Sequence, residues 1–237
     1  MQQKDSLSSV ASNGMRIYIY TLRFNPITGG GSHHSLEILI RALIARGHIP
    51  ILTTLFSDDN NYGRKPCEMR EERFIGGFLA IQRKVVEIMR QNADADAHLI
   101  CSSYILWAGG IYKSEGGRKT VAAILNNYTP GMWLTRAPSF SGSYLRSLSV
   151  RAGNLIHFLK WRLWEKITGV RLVRKIDRLY FDSPIIEENF RRFGYSARSS
   201  AVIPEPMEKV PENIPPAPFK RGAKTFHAVF AGRLIED

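Results

Sequence analysis

Three stretches and two thiols hold residue types whose spacing could do chemistry. The first is Gly29, Gly30 and Gly31 with Ser32 behind them. Residues without a Cβ let backbone N–H groups approach a ligand, and a helix starting there carries partial positive charge, so phosphate or carboxylate would be favoured. Three glycines before a helix serve equally well as a tight turn. The second stretch is Asn126 and Asn127, which end the apolar run Thr120 to Leu125. Open α/β sheets place their ligands at such carboxyl ends. An amide there can hydrogen-bond a ligand but cannot exchange a proton near neutral pH, and the pair fits a structural turn nearly as well. The third, Tyr144 to Lys175, holds eight basic residues against one acid, Glu165, and so seven units of the net charge of +12. Cys67 and Cys101 are the only cysteines. They lie far apart with no metal-ligand spacing, which fits a reducing compartment and gives no disulfide framework. His33 and His34 are adjacent on a helix start and point apart, which argues against a metal site.

The elements that must position these groups follow from periodicity. Arg16 to Leu22 is a β-branched and aromatic run without strict polar alternation, a strand buried on both faces. Leu36, Leu39, Ile40, Leu43 and Ile44 then fall at helical spacing, with Ser32 as N-cap and Gly47 as a left-handed stop. Pro50 to Leu55 reads as a second strand, completing a βαβ unit. The dinucleotide fingerprint fails, because His34 stands where its last glycine belongs and no acidic residue closes the second strand before Asp58 and Asp59. No Gly-Lys-Ser/Thr closes the loop, which excludes a P-loop. Further on, Glu68 to Asn92 has a helical pattern through Phe74, Phe78, Ile81, Val85, Ile88 and Met89. Ala97 to Ser102 and Thr120 to Leu125 read as strands, and Pro184 to Phe193 as a helix. Pro204 to Pro218 contains six prolines and no periodicity, the composition of a linker.

At 237 residues, 44% hydrophobic and 23% charged, the chain has the composition of an ordinary soluble globular protein with one domain and an appendage. Met1 to Gly14 is a polar leader without a signal-peptide core. No apolar run approaches the roughly 18 residues needed to cross a bilayer, and the expected location is the cytoplasm, with possible attachment to the inner membrane face. The charge implies an acidic partner. Along 144 to 175, expected to be helical with breaks at Gly153 and Gly169, Leu155, Ile156, Leu159, Leu163 and Ile167 cover one side. Phe158, Trp161 and Trp164 fall roughly opposite. With Lys160, Arg162, Lys166, Arg171, Arg174 and Lys175 as its flank, the aromatic face suits an anionic membrane surface. It suits equally a neighbouring domain. No helix-turn-helix, RNP-like strand or zinc spacing points to nucleic acid.

Read in order, Gly29-Gly30-Gly31-Ser32, Arg46-Gly47-His48, Asp177 to Ser183, Val202-Ile203-Pro204 and Gly232-Arg233-Leu234 resemble glycosyltransferase family 4. Its members are retaining sugar transferases with a GT-B architecture of two Rossmann-like domains. The resemblance implies an α/β fold with a parallel sheet and helices on both faces. Residues 1–14 would be a disordered leader, 15–203 the N-terminal domain, 204–221 the Pro-rich linker and 222–237 the start of a second domain. It implies a nucleotide-sugar as donor substrate, no cofactor, no metal, and a glycan or lipid-linked acceptor. Gly29, Gly30, Gly31 and Ser32 would face the donor diphosphate and acceptor, Arg233 would reach the diphosphate, and Asn126 or Asn127 stands where many members carry a His. Glu205-Pro206-Met207 replaces the family's usual Asn-Gly-Val-Asp. The family's donor-gripping Lys and paired glutamates would lie beyond Asp237. A transferase completed by further polypeptide, a non-catalytic Rossmann-like module that binds a membrane or partner, and a nucleotide-dependent oxidoreductase are therefore the competing readings. The fingerprint failure makes the oxidoreductase remote.

Overall fold

Strand β1 (Arg16–Thr21) is apolar from Ile17 to Tyr20 because both of its faces are covered there. Tyr18 and Tyr20 enter one core and Ile19 another, the two-residue alternation of a strand. The computed structural model describes residues 14–27, 31–56, 60–125, 159–160 and 162–203. Within them β1 is followed by α1 (Gly31–Ala45), β2 (Ile49–Thr54), β3 (Glu68–Glu71) and α2 (Phe78–Gln91). Next come β4 (Ala97–Ile100), α3 (Leu106–Ser114) and β5 (Thr120–Leu125). A π-helical turn, Glu165–Gly169, leads into α4 (Val170–Val173), then β6 (Arg178–Phe181), α5 (Pro184–Phe193) and β7 (Ser199–Val202). The strands form one sheet in the order β3-β2-β1-β4-β5-β6-β7, and every pair is parallel. This is the Rossmann-like order, in which the chain winds outward from β1 in one direction and from β4 in the other.

Leu36 and Ile40 of α1 close over Ile19, Leu52 and Phe24 on one face of the sheet. On the other face, α2, α3, α4 and α5 cover a larger core that includes Val85, Met89, Trp107, Val173 and Phe190. Two element boundaries differ from the periodicity. Glu68–Glu71 is an edge strand, not the first turn of a helix: Met69 packs on the smaller core while the Arg70 guanidinium lies 5.1 Å from the centre of the Tyr18 ring. Charged residues suit an edge strand, and three of them around the single apolar Met69 disguised it. Gly169 does not break the basic segment either. It sits inside the π turn, where a Cβ would lie 2.5 Å from Trp107 Nε1, so the glycine permits close packing.

The orientation of that segment is a third correction. Trp164 is half-buried, with its ring 5.7 Å from those of Phe78 and Trp107. The outward side carries Leu159, Leu163 and Ile167, which are 55%, 60% and 47% exposed. The periodicity separated the two faces but assigned them the wrong way round, because a large aromatic ring gains more from the Phe78 and Trp107 contacts than a leucine would. Trp161 lies outside the described residues.

A polar chain runs inward from the half-exposed Arg70 of β3 to the buried His98 of β4. Arg70 donates to Asn92 Oδ1 (2.7 Å), which turns the Asn92 amide so that Nδ2 donates to the Tyr20 oxygen (3.4 Å). The Tyr20 hydroxyl therefore gives its proton toward His98 Nδ1 (3.0 Å), leaving the imidazole hydrogen on Nε2. Burial, and after it the nearby Lys119 and Lys113, lowers the His98 pKa from 6.5 to about 4.

Candidate functional site

Where an open parallel sheet changes winding direction, the loops at the carboxyl ends of the two central strands diverge and leave a crevice. Here those strands are β1 and β4. The connection leaving β1 is fastened at several points before it enters α1. Thr21 Oγ1 donates to the Arg23 carbonyl (3.3 Å), Phe24 N–H to Asn60 Oδ1 (2.7 Å), and Asn60 Nδ2 to Thr54 Oγ1 (2.9 Å). Asn25 N–H donates to His33 Nδ1 (3.3 Å). Asn60 thus couples the ends of β1 and β2, a role its loop composition alone did not reveal.

Helix α1 begins at Gly31, so Ser32 lies inside its first turn and is not the N-cap. Both residues are exposed. The first N–H groups of a helix have no partner within it, and here they open beside the crevice, a setting that favours an anion. Gly29 and Gly30 lie outside the described residues. Across the crevice, Cys101 follows β4, and its backbone N–H donates to the Tyr20 carbonyl (2.9 Å). Burial pushes the Cys101 thiol up to about 12, so it is a neutral wall group and not a thiolate nucleophile. Further along the edge Asp182 follows β6, with Oδ1 buried and without a hydrogen-bond partner among the described residues, and Ser183 caps α5 by accepting from Ile186 N–H (3.4 Å). Asp182 carried no distinctive sequence signal. Asn126, Asn127 and Arg233 lie outside the described residues. Among the described residues no group of three His, Cys, Asp or Glu side chains could hold a metal ion.

The sequence motifs separate between the two ends of the sheet. Gly31, which opens α1, and Ser183 belong to the carboxyl edge. Arg46-Gly47-His48 belongs to the opposite one: Gly47 adopts φ 81°, and His48 Nδ1 accepts from Met15 N–H (3.2 Å). Asp177 also sits there, where its carboxylate accepts from Val121 N–H (2.9 Å) and pairs with Lys113 (3.0 Å). These residues anchor strand beginnings and stand apart from the ligand edge. Lys160, Arg162, Lys166, Arg171, Arg174 and Lys175 are exposed. Among the described residues no helix is long and apolar enough to cross a membrane.

No protein-family model and no curated protein sequence matches the chain. Among solved structures, the chain is similar to HepE of Anabaena in complex with UDP and glucose, at 15% identity and a TM-score of 0.48 over 82% of this chain and 45% of that one. It is similar to the glycotransferase of kitacinnamycin at 13% identity and a TM-score of 0.46, over 85% of this chain and 54% of that one. An alpha-glucosyltransferase in complex with UDP-glucose and DNA containing an abasic site gives 13% identity and a TM-score of 0.41, over 82% and 43%. The chain thus spans about half the length of these proteins.

Proposed function

We propose that this chain provides the acceptor-side domain of a glycosyltransferase that moves a sugar from a nucleotide-sugar to a glycan or lipid-linked acceptor with retention. The observation that carries the reading is the start of α1 at Gly31, placed on the β1 and β4 crevice. The order of the motifs is in keeping with it: Gly31 and Ser32 open α1, Arg46-Gly47-His48 follows its end, and Asp177 to Ser183 spans β6. The bond between the anomeric carbon and the diphosphate oxygen breaks, and the diphosphate departs with the electron pair. The acceptor hydroxyl forms the new bond to that carbon, and its proton ends on the nucleoside diphosphate. The protein's work is positioning and stabilisation of the departing charge. Backbone N–H groups of residues 29–32 would face that charge, Arg233 would approach it from the second domain, and Asn126 or Asn127 would hold a sugar hydroxyl.

The test is to incubate the full product of the reading frame with a panel of nucleotide-sugars, UDP-glucose among them, and a lipid and glycan extract. The expected result is transfer, with NMR of the product showing the anomeric configuration of the donor. Failure to consume any donor would favour a non-catalytic binding module. An inverted linkage would overturn retention while leaving transfer intact.

A further inference from the structure

Leu159, Leu163 and Ile167 recur every four residues and all face solvent. The same turns expose Lys160, Arg162 and Lys166, and Arg171 follows in α4. Among the described residues no carboxylate pairs with Lys160, Lys166, Arg171 or Lys175. The one acid of the segment, Glu165, is buried and accepts from the Tyr195 hydroxyl (2.8 Å). Trp164 anchors the segment to Phe78 and Trp107, which lie at the start of α2 and α3, on the carboxyl edge of the sheet. The result is an aliphatic ridge set among cations, held on a packed support near the candidate site.

We propose that this ridge seats the protein on an anionic lipid bilayer, with Leu159, Leu163 and Ile167 entering the headgroup and acyl boundary and Lys160, Lys166 and Arg171 meeting lipid phosphates. Charge complementarity names the sign of the partner, and the aliphatic centre distinguishes bilayer from nucleic acid. A single-stranded nucleic acid would be met by exposed aromatic rings on which its bases stack, whereas the ring of Trp164 here is turned into the core. An interfacial helix combines an apolar face with a basic one in this way. The inference stands independently of the transferase reading, since its test needs no sugar substrate.

The test is sedimentation of the full chain with vesicles of phosphatidylcholine alone or mixed with about one third phosphatidylglycerol, at low salt. The wild type is expected to pellet with the anionic vesicles and to stay in solution with the neutral ones. Two double variants, Leu163→Glu with Ile167→Glu and Lys160→Glu with Lys166→Glu, change exposed residues only, and circular dichroism checks that each folds. Each is expected to lower the partition coefficient at least tenfold. Wild-type protein that remains in solution, or an Leu163→Glu/Ile167→Glu variant that partitions as the wild type does, would overturn the proposal. So would equal retention of both proteins on single-stranded RNA in competition with the vesicles, which would make the surface a general polyanion site.

Discussion

Gly110→Ala is expected to lower stability by about 3 kcal/mol, whereas Gly109→Ala one residue earlier should change it by no more than about 1 kcal/mol. Both glycines lie inside α3, where alanine is intrinsically the better helix former by about 1 kcal/mol. Their surroundings differ in kind. A Cβ at Gly110 would lie 2.2 Å from the Leu172 carbonyl oxygen and 2.5 Å from its carbon, so the backbone of α4 must move and the contact between α3 and α4 opens. A Cβ at Gly109 would meet Val121 Cγ1 at 2.8 Å and Ile100 Cδ1 at 2.9 Å, ends of side chains that can turn aside. Thermal denaturation checks the pair. The Gly110 variant should melt about 6–12 °C below the wild type and the Gly109 variant within a few degrees of it. Equal melting temperatures would show that α4 does not sit against α3 as described.

Acid is expected to remove about 3 kcal/mol of stability through His98 alone. Its folded pKa, about 4, lies below the ordinary 6.5, so the unfolded chain takes the proton first. The contribution is complete above pH 6.5 and is lost as pH falls toward 4. The physical cause is the burial of a ring whose Nδ1 already accepts the Tyr20 proton and whose Nε2 has no hydrogen-bond partner among the described residues. Protonation would place a charge beside Lys113 and Lys119 and break the bond to Tyr20. Urea titrations at neutral pH and near pH 4 should show His98→Leu losing about 3 kcal/mol less than the wild type across that interval. Parallel pH profiles for the two proteins would contradict the assignment.

The strands and helices that bury one continuous apolar stripe were legible in the sequence. Thr120–Leu125 and Pro184–Phe193 have the bounds their patterns give, the second because Ser183, Pro184 and Gly194 mark its ends chemically. Edge strand β3 was not legible, since one apolar residue, Met69, among three charged ones gives no repeat to signal a period. The helical face of 159–167 was divided correctly and oriented wrongly. A helical wheel separates two apolar sides but cannot say which one finds partners, and the partners of Trp164 come from α2 and α3, more than fifty residues earlier in the chain. At the site, the glycines announced the start of α1. Asn60 and Asp182 did not stand out, because their roles depend on which strand ends meet, and that is set by sheet order. The Arg-Gly-His turn and Asp177, both part of the family-like succession, proved to secure the amino edge of the sheet.

The most direct test of the carboxyl edge as the reacting edge is the transfer rate of Gly31→Val in the full product of the reading frame, with the melting temperature measured alongside. Gly31 is exposed, so the fold should tolerate the side chain, while the added methyl groups would keep a diphosphate away from the N–H groups at the start of α1. The expected rate is at least about a hundredfold lower, the scale of losing one donor to a developing negative charge, with the melting temperature unchanged. A Gly31→Val protein that transfers sugar at the wild-type rate would contradict it and move the search for the site away from the β1 and β4 crevice.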